Sequence, residues 1–228
     1  MWHAIHQFIL SITTELAADL HLPRVMVEYF LMLPFVVVIL AFFRHVVGLK
    51  TIGLFFPILI AVIFAFNGFS YGLILIAAVS VLTFLGRAIA RPFRLLYLPR
   101  SAFVITFVTI GFFWTVIWLT AILPERPVEQ VPLMSFLVLL LFTEDFLRVL
   151  GERGARTGSL LLGETVLLAM VGGLFLRWFW ARDLLYSYPE LVLLVPVLAL
   201  ALNQWNGLRL AELYRFRKIR RKLATSKR

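Results

Sequence analysis

Seven strongly apolar stretches follow one another along this chain, separated by short polar connections. A helix needs about 20 predominantly apolar residues to cross the hydrocarbon core of a bilayer. Hydrophobic residues make up 62% of the 228 residues and charged residues only 15%, whereas soluble domains usually carry roughly a quarter charged residues. The composition excludes an ordinary soluble domain and predicts an integral membrane protein.

Each apolar stretch is interpreted as a helix, because lipid requires every backbone polar group to be satisfied within its own segment and no stretch alternates like a barrel strand. We predict an all-α bundle of seven transmembrane helices. Gly53 and Pro57 fall in the short second span, which favours a kinked helix over a broken one that lines a cavity. The predicted spans are 25–43, 51–66, 69–85, 101–123, 131–143 with an extension to 150, 157–180, and 184–205.

The basic residues between these spans fall almost entirely on one side. If the connection after the first span is cytoplasmic, 18 of the 22 Lys and Arg residues are inside, and only Arg24, Arg126, Arg177 and Arg182 are outside. Cytoplasmic loops carry the excess of Lys and Arg, so we predict that the N-terminus is outside and the C-terminus inside. The net charge of +10 is then explained by topology, in preference to nucleic-acid binding.

Three regions are predicted. Residues 1–22 form an amphipathic segment on the outer face, residues 23–206 form the seven-helix transmembrane domain, and residues 207–228 form a basic cytoplasmic tail. Ile5, Phe8, Ile12 and Leu16 recur at helical spacing in the first region. Whether that helix lies on the membrane or enters it is left open.

The sequence contains no recognised catalytic or metal-binding motif. It has no cysteine, no HExxH, no GxSxG and no phosphate-binding loop with its lysine. We predict no catalytic residue, no metal and no cofactor. The glycine-rich run 151–158 favours a flexible cytoplasmic loop over an anion site.

Ionisable residues inside spans are costly and often functional. Glu164, Arg177 and Glu190, together with Pro57, are candidates for an intramembrane polar pathway. Arg177 and Glu190 can meet across the connection that precedes the seventh span. Interhelical pairing or snorkelling is the favoured interpretation, and a substrate or proton path is the alternative.

The inner side carries most of the charged residues that are candidates for contact with a partner or product. Arg87, Arg91 and Arg94 share one helix face at i, i+4 and i+7, where anionic lipid head groups are the favoured ligands. Arg148 follows Glu144 at i+4 and Asp145 at i+3, a spacing that predicts ion pairs. The full set of candidates is Arg44, Lys50, Arg87, Arg91, Arg94, Arg100, Glu144, Asp145, Glu152, Arg153, Arg209, Glu212 and Arg215.

Five motifs in a fixed order resemble a bacterial membrane family. They are FRHVVGLKTIGLFFPILIA at 43–61, LPR at 98–100, FTE at 142–144 followed by GERGA at 151–155, YPEL at 188–191, and GLRLAELYRF at 207–216. The family is the seven-helix domain usually fused to, or encoded beside, an inactive transglutaminase-like domain. It is distantly similar to the small membrane subunit of poly-γ-glutamate capsule synthases.

The resemblance implies a role and partners. Members are encoded near ATP-grasp amide ligases, which implies a multi-pass protein of the bacterial cytoplasmic (inner) membrane that recruits such a ligase. The expected partners are membrane lipids, a cytoplasmic ATP-grasp ligase, an extracytoplasmic transglutaminase-like protein, and further subunits in a homo- or hetero-oligomer. Nucleic acid is not expected.

Three functions compete. The favoured one is a non-catalytic membrane subunit that helps to make or export an anionic amide-linked peptide. The alternative is a stand-alone transporter or flippase for a small molecule or anionic polymer. An intramembrane enzyme ranks last, because no nucleophile has a base placed beside it in sequence.

Overall fold

The computed structural model describes residues 23–53, 55–93, 96–122 and 133–203. In these ranges every regular element is helical, which confirms the predicted all-α class. The predicted amphipathic segment 1–22 and the basic tail 207–228 lie outside the described residues. The division into three regions therefore stays a prediction.

Seven helices follow one another in the described part of the chain. Four of them, α1 with its π turn, α3, α4 and α5, are long and apolar enough to cross a membrane, and α6 with α7 forms a bent fifth candidate. The helices are α1 (Arg24–Phe42, continued by a π turn at Phe43–Val47), α2 (Phe55–Asn67), α3 (Phe69–Ala90), α4 (Tyr97–Ile122), α5 (Leu133–Leu176), α6 (Phe179–Ser187) and α7 (Leu194–Asn203), with a 3₁₀ turn at Pro189–Leu193 between the last two.

Helix α5 is long enough for two spans. Its 44 residues would extend about 66 Å as one straight helix, roughly twice the thickness of the hydrocarbon core. Gly154, with φ 78° and ψ 167°, is non-helical and leaves 21 residues before it and 22 after it. Each half has the length of one crossing, so α5 is long enough for both the predicted fifth span and the predicted sixth span. The predicted loop at 151–158 is wrong, because a single glycine makes the break and its neighbours stay helical.

The last predicted span, 184–205, is not one continuous helix. Helix α6 and the segment that begins at Pro189 meet at an angle of 97°. Tyr188, with φ −132° and ψ 69°, lies at the bend. Proline disfavours the helical conformation in the residue before it, so the Tyr188–Pro189 step ends α6.

The second predicted span becomes the short helix α2. Its 13 residues reach only about 20 Å, less than the hydrocarbon core requires. Gly53 precedes the helix and Pro57 lies in its first turn, where the missing proline N–H removes no helical hydrogen bond. Neither residue kinks a helix interior, so the kink expected from the sequence is wrong.

The helices pack into two compact units: a central unit, Thr51–Gly173, and a terminal unit whose described residues are 23–50 and 174–203. A chain of phenylalanine rings joins three helices in the core of the central unit. Phe142 of α5 lies 5.6 Å from Phe56 of α2 and 5.6 Å from Phe146, whose ring is 5.4 Å from Phe84 of α3. The central unit therefore has an aromatic core of its own.

The terminal unit packs α1 against α6 and α7. Glu28, Met32, Val36 and Leu40 are the buried residues of α1, and they recur every four residues along one helix face. A carboxylate is thus the first member of an otherwise apolar buried stripe.

Candidate functional site

The charged turn at Gly154 is an exposed polar segment of the central unit. All seven residues from 151 to 157 are exposed, and Glu152, Arg153 and Arg156 are among them. In the described residues none of these three side chains forms an ion pair. The break in α5 therefore presents charges of both signs to the surroundings.

Two helical turns earlier, α5 carries charges that are paired with one another. Arg148 lies 3.1 Å from Asp145 and 3.8 Å from Glu144, measured between guanidinium nitrogen and carboxylate oxygen. The ion pairing that the spacing predicts is confirmed. All three side chains are partly exposed, so the pairs contribute roughly 0–1 kcal/mol each.

A second basic group lies where α3 and α4 meet. Arg87 is in the last turn of α3, Arg91 follows that helix, and Arg100 is in the first turns of α4. The positive charges of Arg100 and Arg91 both act unfavourably on the charged guanidinium of Arg87. Arg94, predicted to share the face of Arg87 and Arg91, lies outside the described residues.

Arg44 and Lys50 follow α1 in the terminal unit. Arg44 lies in the π turn and is half-buried, and Lys50 is exposed at the end of the segment that leaves it. Arg209, Glu212 and Arg215, the remaining candidates, lie outside the described residues.

The central unit contains a polar contact deep within its helices. The backbone N–H of Ile52 donates to Thr165 Oγ1 at 2.9 Å, and both residues are buried. Thr165 lies 11 residues beyond Gly154, about 16 Å along the second half of α5 and thus near its midpoint. Non-helical backbone is tolerated at membrane depth only where it is buried in protein or lines a water-filled cavity. The protein meets that requirement with a threonine hydroxyl.

The intramembrane ionisable residues differ in burial. Glu190 is only 5% exposed and lies in the 3₁₀ turn of the bent segment. Arg177 is exposed at the end of α5, and Glu164 is half-buried in the second half of that helix. Their role in a pathway stays a prediction.

An ionic network in the terminal unit escaped the sequence analysis. Glu28, 4% exposed, accepts a hydrogen bond from Arg24 Nε at 2.8 Å, and its other oxygen lies 3.3 Å from Arg182 Nε. Arg24 also donates to Asp183 at 3.2 Å and lies 4.4 Å from the ring centre of Tyr186. The i, i+4 spacing of Arg24 and Glu28 was visible in the sequence, but the approach of α6 was not.

A shallow groove of about 520 Å³ runs along the central unit between α3 and the second half of α5. Its lining is almost entirely apolar, with Ala77, Ser80, Ser159 and Gly163 as its small residues. Within the described residues no group of three or more histidine, aspartate or glutamate side chains is placed to hold a metal ion.

A family model described as seven transmembrane helices usually fused to an inactive transglutaminase matches residues 16–220 of the chain. The chain belongs to this family. No curated protein and no solved structure matches it. Membership confirms the resemblance seen in the sequence motifs, and with the apolar helices it establishes a multi-pass membrane protein. The family also associates such a domain with a transglutaminase-like domain.

Proposed function

We propose that the chain is a non-catalytic subunit of the bacterial cytoplasmic membrane that recruits a cytoplasmic ATP-grasp amide ligase. In this role it helps to make or export an anionic amide-linked peptide and works with an extracytoplasmic transglutaminase-like protein. The single observation that carries the proposal is the exposed, charged turn at Gly154.

This turn has the properties of a docking surface. Its residues 151–157 are all exposed, and the charges of Glu152, Arg153 and Arg156 are not compensated by ion pairs within the described chain. Charges at an interface steer a partner to it and suppress wrong partners. The excess of Lys and Arg predicts that this turn is on the cytoplasmic side, where the ligase would be.

Other candidate contacts are predicted on the same side of the membrane. Arg44 and Lys50 follow the first helix, and on the predicted topology both lie on the same side of the membrane as the Gly154 turn. The tail residues Arg209, Glu212 and Arg215, which lie outside the described residues, are assigned to the same partner by the family resemblance.

Photo-crosslinking tests the proposal. A benzoylphenylalanine is placed at Glu152, and as a control at Trp180, which is 78% exposed just beyond the far end of α5. In cells that also produce an ATP-grasp amide ligase of the kind that the family resemblance implies, the position-152 probe should capture the ligase and the position-180 probe should not. Probes at Glu152, Arg153 and Arg156 that all fail to capture it in correctly folded protein would refute recruitment by this turn.

A stand-alone transporter is the second candidate function. The bend of 97° between α6 and the Pro189 segment and the buried Glu190 within it favour this role, because transporters place substrate sites at discontinuous helices. Flux by the purified chain in proteoliposomes, abolished by Glu190→Gln, would favour transport over recruitment. Absence of flux for anionic peptides and for protons would exclude transport of these two substrates by the chain alone.

A further inference from the structure

The three arginines at the junction of α3 and α4 are arranged in a way that favours the binding of an anion. Arg87 Nε and Nη1 and Arg100 Nε are buried and have no hydrogen-bond partner. Buried polar groups are normally hydrogen-bonded, and a donor left unsatisfied costs about 1–3 kcal/mol, more when it is charged. The penalty falls on two residues whose charges also repel each other.

Like charges converge here without a carboxylate between them. Arg100 and Arg91 both repel the guanidinium of Arg87. In the described residues no acidic side chain forms an ion pair with any of these three arginines. Glu144 and Asp145 form their ion pairs with Arg148 instead. An oxyanion bound between the guanidiniums would remove the repulsion and accept the unsatisfied N–H groups.

Close packing holds this group in place. Gly86, the residue before Arg87, allows α4 to approach so closely that a Cβ atom there would lie 3.1 Å from Phe107 and 3.3 Å from Val104. The backbone of α3 beside Arg87 is thus packed directly against α4, one turn beyond Arg100.

The surroundings select an amphiphilic ligand. Exposed apolar side chains alternate with the arginines along the chain: Leu85 and Ile89 flank Arg87, Phe93 follows Arg91, and Leu98 precedes Arg100. The group lies at the end of a candidate span, where lipid phosphates meet the hydrocarbon. A free hydrophilic anion would leave this apolar surface uncovered, whereas a phospholipid covers it with acyl chain.

We propose that Arg87, Arg91 and Arg100 form a binding site for the phosphodiester of an anionic phospholipid. Planar guanidiniums bind phosphate oxygens through paired N–H groups, which lysine cannot reproduce. This site does not depend on the recruitment of a ligase, because its ligand is a membrane component.

The experiment measures lipid binding to the purified full chain by native mass spectrometry in detergent. Dioctanoyl phosphatidylglycerol is titrated against wild type, Arg87→Gln/Arg100→Gln, and the control Arg153→Gln/Arg156→Gln, which removes the same charge from the exposed turn. The site variant should lose about tenfold or more in apparent affinity, since its hydrogen bonds are charge-assisted. The control should bind like wild type.

Further measurements identify the ligand and separate a loss of binding from a loss of folding. Inorganic phosphate and a tetra-γ-glutamate peptide are added as competitors, and dioctanoyl phosphatidylcholine replaces the anionic lipid. The proposal is supported if neither competitor displaces the anionic lipid and if the zwitterionic lipid binds more weakly. Displacement of the anionic lipid by either competitor at equal concentration would overturn it. Arg87→Lys/Arg100→Lys keeps the charge and should still bind more weakly, whereas unchanged binding by this variant or the glutamine variant would overturn the site.

Discussion

The hydroxyl group of Thr165 forms two hydrogen bonds inside the central unit. It donates to the carbonyl oxygen of Leu161 at 2.6 Å and accepts from the amide of Ile52 at 2.9 Å. Thr165→Val nearly preserves the side-chain shape but leaves the buried Ile52 amide without its acceptor. We expect the free energy of unfolding to fall by about 1–3 kcal/mol, measured as a lower midpoint of unfolding in detergent.

Thr143 provides the matched control for this prediction. It is also fully buried on α5, but its hydroxyl donates only to the carbonyl of its own helix, Leu139, at 2.9 Å. Thr143→Val removes no acceptor from a distant amide and should lower stability much less. Equal losses in the two variants would show that the Ile52 bond adds nothing to stability.

At the residue scale, the sequence predicted contacts that are local and missed those that are not. The pairing of Arg148 with Glu144 and Asp145 followed from helical spacing and is present. The bond from Arg24 to Asp183 joins residues 159 positions apart. Only the tertiary packing of α1 on α6 determines that contact, so no spacing rule identifies it.

Gly154 sets the geometry of α5 at the element scale. Its φ of 78° and ψ of 167° lie in a region populated essentially by glycine, and a Cβ added there meets nothing within 4 Å. Gly154→Ala is therefore strained through the backbone alone and should cost about 1–3 kcal/mol. Thermal unfolding of the purified variant measures the effect.

Gly151→Ala is the control for the break. An alanine Cβ at position 151 would also meet nothing within 4 Å, but the backbone there is helical and alanine is the better helix former by about 1 kcal/mol. This variant should match or exceed wild-type stability. An equally tolerated Gly154→Ala would mean that the helix does not need the positive φ at this position.

Hydropathy located the helices of this protein better than it located their breaks. The third and fourth predicted spans, 69–85 and 101–123, correspond closely to α3 and α4, because long apolar runs in lipid have no alternative to a helix. The bend before Pro189 and the late start of α2 depend on which backbone groups find partners in neighbouring helices. That information is tertiary, and the hydropathy of a single segment does not contain it.

The orientation of the chain belongs to the scale of the whole molecule. The sequence predicted the family, and it predicted 18 Lys and Arg residues on the inner side against 4 on the outer side. Each prediction rests on many residues together, so no single contact can reverse it. The candidate sites depended on individual side-chain positions, so the buried Glu28 and the buried, unpartnered donors of Arg87 and Arg100 emerged only from packing.

Cysteine labelling tests the orientation directly, since the chain contains no cysteine of its own. Ala155→Cys and Trp180→Cys place single thiols at exposed positions on either side of the second half of α5. A helix of 22 residues spans about 33 Å, so the two thiols should face opposite sides of the membrane. On the predicted orientation the arginine-rich side is cytoplasmic, so an impermeant maleimide should label position 180 on intact cells and position 155 only after permeabilisation. The reverse pattern would invert the topology and place the Gly154 turn out of reach of any cytoplasmic ligase, whereas labelling of both positions from outside would mean that this half of α5 does not cross the membrane.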